Sequence, residues 1–182
     1  MPALSVACLV GVSACGAAGG DAAVGAGGAS PAPSAETASS ESVSSSADPA
    51  ETDPCAWLTP AERSTAGLAV PGERRTVGSA AACDYTEPGA GGVTVTFDTA
   101  SALADLRPDG EATSMRIAGR EAQQVADTAA DDGTCTVLLA AGPSSSVHID
   151  VSTADFRGTR ESCERASTVA ELIAPELPGR AG

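Results

Sequence analysis

The sequence predicts a small α+β domain in which disulfides staple an antiparallel sheet of about five strands, with two or three helices packed on one face. Three observations lead to this prediction. Short segments alternate apolar and polar residues between Gly- and Pro-rich turns, a pattern typical of half-buried strands. Other segments carry helix start signals or a helical apolar stripe. Four cysteines lie within the same region.

The composition leaves this domain short of large core side chains. The chain has 182 residues and a net charge of -14, and only 2% of its residues are aromatic. A core of Val, Leu and Ala buries little area per residue, at roughly 25 cal/mol per Å², so covalent links are expected to matter. The acidic balance argues against nucleic acid as a partner, because binding it requires a basic patch. We expect a monomer.

The first 53 residues are predicted to lie outside the folded domain. Residues 1–14 contain a short apolar run, typical of a signal peptide and too short to span a membrane. Small residues precede Cys15 and Gly16 follows it, which predicts cleavage before Cys15 and attachment of lipid, including palmitate, to its sulfur. Residues 15–53 form an acidic Ala/Ser/Gly linker that is expected to be disordered. A disordered tail is expected at residues 179–182.

The globular domain is predicted over residues 54–178. Its first helix starts at a capping box, Thr59-Pro60-Ala61-Glu62, with Pro at the first helical position, and ends at Gly67. A second helix is expected from Asp98 or Thr99 to about Leu106, ahead of the turn Pro108-Asp109-Gly110. The strands expected in this half cover residues 73–77, 83–87 and 93–97.

The second half repeats part of this order. A strand over residues 114–118, one helical turn within 119–130, a hairpin from Cys135 to Val151 and a helix over 160–174 are expected. Residues 93–100 align with residues 147–154, and each segment follows a strand that begins with Cys. This echo suggests a β-β-α pseudo-repeat; the alternative is that the same local pattern arose twice.

The domain contains Cys55, Cys83, Cys135 and Cys163, which allow three disulfide pairings. We favour the sequential pairs Cys55–Cys83 and Cys135–Cys163, which close two loops of equal length, each worth roughly 3 to 4 kcal/mol. The rival arrangement pairs Cys83 with Cys135 and Cys55 with Cys163. Zinc binding is disfavoured because no C-x-x-C pair occurs. We expect no metal and no other cofactor.

His148 is the only histidine, so any Ser-His-Asp catalytic arrangement would have to use it. It lies on the outward face of its predicted strand beside Asp150, and Ser144, Ser145 and Ser146 precede it. No G-x-S-x-G motif occurs. The simpler interpretation is a solvated strand residue, and no catalytic residue is assigned. Trp57 is interpreted as a core anchor packed on a disulfide rather than as a ligand platform.

Several motifs recur together in a known family. They are Asp53-Pro54-Cys55-Ala56-Trp57-Leu58-Thr59-Pro60-Ala61-Glu62, Cys83-Asp84-Tyr85, Gly119-Arg120-Glu121-Ala122, Cys135-Thr136-Val137 and Ser162-Cys163-Glu164-Arg165-Ala166, before a closing Leu177-Pro178. Residues 53–178 resemble an actinobacterial family of secreted lipoproteins, the domain of unknown function 3558. Tyr85 stands where Trp is expected, and Glu121 where Pro is common. The resemblance implies a membrane-anchored or secreted envelope protein and brings no activity.

These observations favour a lipid-anchored protein on the extracytoplasmic face of the cell membrane, or alternatively a secreted one. We expect a non-catalytic binding or scaffolding module whose partner is an envelope protein. Two alternatives remain, a hydrolase that uses His148 and a carrier of an apolar ligand held between sheet and helices. A cleft converging on His148 would favour the enzyme, and a sizeable apolar cavity would favour the carrier. A filled core would favour recognition of a protein partner.

Overall fold

A computed structural model of the chain describes residues 52–178. Within them, seven antiparallel strands form one sheet in the order β1-β2-β3-β7-β6-β5-β4. The strands are β1 Glu73–Val77, β2 Ala80–Asp84, β3 Gly91–Asp98, β4 Ala112–Ile117, β5 Arg120–Val125, β6 Thr134–Gly142 and β7 Ser145–Thr153; the helices are α1 Pro60–Thr65 and α2 Thr159–Ile173. Short 3₁₀ turns occur at Pro54–Ala56, Leu103–Asp105 and Ala174–Glu176.

The predicted α+β fold class is therefore wrong. The sheet has seven strands instead of about five. Among the described residues, α2 is the one helix longer than two turns, so the domain is mostly β and does not carry two or three helices on one face. Strands β1, β3, β6 and β7 and helix α2 do lie where the sequence patterns indicate them.

The helix expected after Asp98 is absent for a local reason. The Asp98 carboxylate accepts a hydrogen bond from the backbone N–H of Ala100, two residues on, and this Asx-type turn competes with a helical start. Ala102 then has an extended backbone, and one 3₁₀ turn, Leu103–Asp105, follows. Because no helix follows β3, the predicted β-β-α pseudo-repeat is also wrong.

Most of the segment 119–130, where one helical turn is expected, forms strand β5, and a single turn from Asp127 to Asp131 follows it. The Glu121-Ala122-Gln123-Gln124 stretch of β5 has good helix formers. However, β5 pairs with β4 on one side and β6 on the other, and Ala122 lies opposite Leu139 with both side chains buried. Tertiary pairing overrides the local preference here.

The main core lies between the sheet and α2, on what we call the inner face. Val95, Ile149 and Val137 lie side by side on β3, β7 and β6, and all three are buried. Helix α2 packs on β6 and β7 and buries its stripe at helical spacing. The members of that stripe are Cys163, Ala166, Val169, Ala170 and Ile173.

Both disulfides tie a segment to the sheet. Cys55, in the first 3₁₀ turn, is bonded to Cys83 of β2, and Cys135 of β6 is bonded to Cys163 of α2. The Cα atoms are 5.0 Å and 5.1 Å apart, respectively. This is the sequential pairing favoured from the sequence. The bond to Cys163 holds α2 against a central strand of the sheet.

Several predictions fall outside the described residues. They are the signal peptide at 1–14, the lipidated Cys15, nearly all of the linker at 15–53 and the tail at 179–182. No helix within residues 52–178 has both the length and the apolar character needed to cross a membrane.

Candidate functional site

The sheet has a second buried surface, on the face opposite α2, which we call the outer face. Strand β6 reads Val137-Leu138-Leu139, three apolar residues in a row. Val137 and Leu139 point to the inner core, so Leu138 must point outward, yet it is only 4% exposed. The chain from residue 99 to residue 111, the β3–β4 loop, covers this side and buries Leu103.

A cleft lies between the β3–β4 loop and the outer face. Its volume is about 280 Å³, and we call it the outer cleft. Four of its residues are apolar, and the others include one base, one acid, one Thr and the single His. The lining residues are Leu106, Arg107, Pro108, Asp109, Val125, Thr136, Leu138 and His148.

Cross-strand pairing places His148 among polar groups. Thr96 of β3 lies directly opposite His148, and Asp98 lies opposite Ser146. The Ser146 Oγ is 3.1 Å from Nε2 of His148. The hydroxyl of Thr96 is buried and has no hydrogen-bond partner among the described residues. His148 itself is half-buried and reaches the outer cleft.

Asp98 anchors the start of the β3–β4 loop. Its carboxylate accepts a 2.7 Å hydrogen bond from the N–H of Ala100. This bond, together with Ser101 and the electrostatic influence of His148, holds the pKa of Asp98 below its ordinary value. Further along the loop, the Arg107 guanidinium donates to the carbonyls of Ala104 and Leu106 at 3.0 Å and 2.8 Å. Both ends of the loop segment above the cleft are thus held by local hydrogen bonds.

The Ser146–His148 pair resembles two members of a catalytic triad, but its exposure does not suit a nucleophile. Ser146 is 0% exposed, so its hydroxyl is not presented to the cleft. No carboxylate within residues 52–178 forms an ion pair with His148, whereas a triad acid would orient the ring through its second nitrogen. As placed, the serine hydroxyl serves to fix the His148 ring.

Comparison with known proteins adds one positive result. A sequence model of the family described as "Protein of unknown function (DUF3558)" matches residues 10–176. The chain belongs to this family. The comparisons with curated proteins and with solved structures find no match.

The structure also locates the other residues of this DUF3558 protein to which the sequence draws attention. Trp57 is buried, and its ring meets that of Phe97 edge-on at a centroid distance of 5.4 Å. The four domain cysteines are all consumed in disulfides. No group of three or more His, Cys, Asp or Glu side chains in the described region could hold a metal ion.

Sequence reasoning missed the outer cleft in this DUF3558 protein because it placed a helix where the β3–β4 loop lies. One available signal was the run Val137-Leu138-Leu139, since a strand that is apolar at consecutive positions is covered on both faces. The position of Leu138 in that run indicates a second covered surface. The pairing of Ser146 with His148 was also available from strand alternation, because both occupy the same face of β7.

Proposed function

We propose that this protein is a non-catalytic binding module of the cell envelope, and that it holds an apolar side chain of a protein partner in the outer cleft. The observation that carries the proposal is the apolar wall of the outer cleft, formed by Leu106, Pro108, Val125 and Leu138, together with a Ser146 that is too buried to act as a nucleophile. Binding sites of this kind combine mostly apolar walls with a few placed polar groups.

The size of the outer cleft favours one side chain over a whole small molecule or lipid chain. Its volume of 280 Å³ lies just under the range of about 300–1,000 Å³ that is usual for ligand pockets. A wider groove of 690 Å³ runs beside α2 and β5, but apart from Cys163 its lining side chains are polar. An apolar contact therefore has a better place in the outer cleft than in this groove.

The binding proposal is tested by blocking the cleft with a matched pair of variants. Val125 lines the cleft, whereas Val77 is a half-exposed valine on the edge strand β1. We expect peptides selected from a random displayed library on the full chain to lose binding to Val125→Arg at least tenfold and to bind Val77→Arg normally. Thermal unfolding of both variants verifies that they fold. Peptides that bind both variants equally would contradict the proposal.

The proposed location rests on the small residues before Cys15 and on the resemblance to lipoproteins. We expect the native precursor, expressed in an actinobacterial host, to incorporate an alkyne-labelled palmitate and to sediment with membranes. The Cys15→Ser variant should lose the label, while Cys8→Ser, at the other cysteine of residues 1–15, should keep it. Labelling that survives Cys15→Ser would remove the proposed anchor.

A hydrolase that uses His148 is the second candidate, favoured by the Ser146–His148 contact of 3.1 Å and by the cleft that reaches the ring. Its chemistry requires the β3–β4 loop to move, because Ser146 is buried. A fluorophosphonate probe tests this directly. Labelling of the native protein that is lost in Ser146→Ala and His148→Ala, but not in Ser144→Ala, would favour the enzyme over the binding module.

A further inference from the structure

The loop between β7 and α2 exposes an aromatic side chain. Phe156 is 70% exposed, whereas the other aromatic residues, Trp57, Tyr85 and Phe97, are buried in the core. A single exposed apolar side chain is common and requires no explanation by itself. The backbone conformation at Phe156, however, is less common.

The backbone of Phe156 is in the left-handed region, with φ of 54°. This region is sterically unfavourable for residues with a bulky side chain and is occupied readily only by Gly and, less often, Asn or Asp. Gly158, two residues on, has φ of 80°. Phe156 therefore stands at a position where folding alone would favour a different residue.

The loop is held rigidly in this conformation. The Thr153 hydroxyl donates to the carbonyl of Arg157 at 2.8 Å and accepts from its N–H at 3.2 Å. The N–H of Gly158 donates to the Asp131 carboxylate at 3.1 Å. A Cβ on Gly133 would lie 2.5 Å from the backbone nitrogen of Arg157, so the two turns touch at the backbone. An aromatic ring on such a base is preorganised for contact, which reduces the entropy lost on binding.

Charge around the ring indicates which surfaces it can approach. Asp155 precedes Phe156, and the turn that supports the loop carries Asp131 and Asp132. Arg157 supplies a positive charge, but Arg160 is paired with glutamates of its own helix. With a net charge of -14 for the chain, an anionic lipid surface is repelled. A protein surface with basic residues is attracted.

We propose that Phe156 is an anchor residue that inserts into an apolar pocket, rimmed by Lys or Arg, on a protein partner. This site lies in the β7–α2 loop and shares no residue with the outer cleft. The proposal does not depend on which side chain the cleft holds. Buried aromatic anchors at the centre of an interface carry a large share of binding energy.

The first test asks whether the ring is retained at the expense of folding stability. We expect Phe156→Asn in the full chain to raise Tm by roughly 2–4 °C, because Asn tolerates the left-handed backbone. The control is Val77→Asn at the other exposed large apolar residue, where the backbone is an ordinary strand and no rise is expected. An unchanged or lower Tm for Phe156→Asn would show that the ring is not retained at the expense of folding stability and would overturn the proposal.

The second test identifies the partner class. We would replace Phe156 or, as the control, Val77 by p-benzoylphenylalanine in the full chain, irradiate intact cells and identify the adducts by mass spectrometry. The expected result is a protein adduct specific to position 156, and a tenfold or greater loss of affinity for that purified protein in Phe156→Asn but not in Val77→Asn. An adduct with phospholipid, an adduct with a second copy of the chain, or no adduct above the control would overturn it.

Discussion

Arg120 holds the C-terminal end of the domain together through backbone carbonyls. Arg120 is only 7% exposed, and its guanidinium donates to Ala174 O at 3.2 Å, Leu177 O at 2.9 Å and Ala140 O at 3.2 Å. Burial lowers the pKa of Arg120, but an arginine stays protonated in proteins. A fixed positive charge where α2 ends also complements the negative end of the helix dipole.

We therefore expect Arg120→Met to be strongly destabilising. The substitution leaves buried carbonyls without donors and should lower the free energy of unfolding by about 2–4 kcal/mol. Arg116→Met is the matched control, since Arg116 lies in the same hairpin, is 69% exposed and donates to Gly119 O. Urea unfolding of the three proteins measures the difference. Equal midpoints for both variants would contradict the proposed role of Arg120.

Asp98 makes the stability of the domain depend on pH in the acidic range. Because its folded-state pKa is lowered, first by the hydrogen bond from Ala100, its contribution to stability is complete above the unfolded pKa of about 3.9. That contribution is lost as pH falls through the folded-state pKa. Asp98→Asn should therefore lose less stability than the native protein between pH 5 and pH 2, by a few tenths of a kcal/mol, since solvent screens this half-buried group.

Chemical unfolding at several pH values measures this slope. Asp105→Asn is a suitable control because it removes another carboxylate of the β3–β4 loop that accepts no hydrogen bond in the described structure. If Asp98→Asn and the native protein lose stability in parallel as the pH falls, Asp98 does not anchor the loop in the way described.

At the scale of elements, α2 shows what a sequence pattern can and cannot reveal. Its apolar stripe predicts the helix to within one residue at each end. Its start could not be explained locally, because Gly158 has no side chain with which to cap it. The cap is supplied by Asp131, whose carboxylate accepts hydrogen bonds from the N–H groups of Gly158 and Thr159 at 3.1 Å and 2.9 Å.

Asp131→Ala should therefore destabilise the domain by about 1–2 kcal/mol, because it removes the N-cap and leaves Ala in the left-handed backbone that Asp131 occupies, with φ of 48°. Asp155→Ala, which removes an exposed acid at the same end of α2, should change the free energy of unfolding by less than about 0.5 kcal/mol. Hydrogen exchange of the first turn of α2 would increase in Asp131→Ala alone. If Asp131→Ala leaves the exchange protection of that turn unchanged, Asp131 does not cap α2.

Loops and strands also differ in how well local sequence features predict them. The hairpin of β6 and β7 follows from alternation around Gly142-Pro143-Ser144, which are local features. The β3–β4 loop and β5 do not follow from local alternation. The loop depends on a side-chain turn at Asp98, and β5 depends on pairing with β6. The outer cleft combines these two segments, so the part of the chain that sequence reasoning read least well is also the candidate site.

At the scale of the whole molecule, the two disulfides join segments that the strand order alone does not connect. One attaches the N-terminal segment to β2, and the other attaches α2 to β6. Both span a sequence separation of 28 residues, so chain entropy assigns each about 3.5 kcal/mol. A domain of this size typically has a total stability of about 5–15 kcal/mol, so two bonds of this strength account for a large part of it.

We therefore expect either double variant, Cys55→Ala with Cys83→Ala or Cys135→Ala with Cys163→Ala, to fold with about 3 kcal/mol less stability. The quadruple variant should lose its cooperative thermal transition at neutral pH, because the combined loss approaches the whole stability. The native protein treated with a reductant should match the quadruple variant.

Since the two disulfide loops are equal in length, any difference in stability between the double variants measures how firmly each segment is held by packing. The buried stripe of α2 should keep it docked when Cys163 is lost, whereas the N-terminal segment, docked through the few buried side chains of Pro54, Trp57 and Leu58, should loosen more. The opposite order would mean that α2 depends on its disulfide more than on its apolar face.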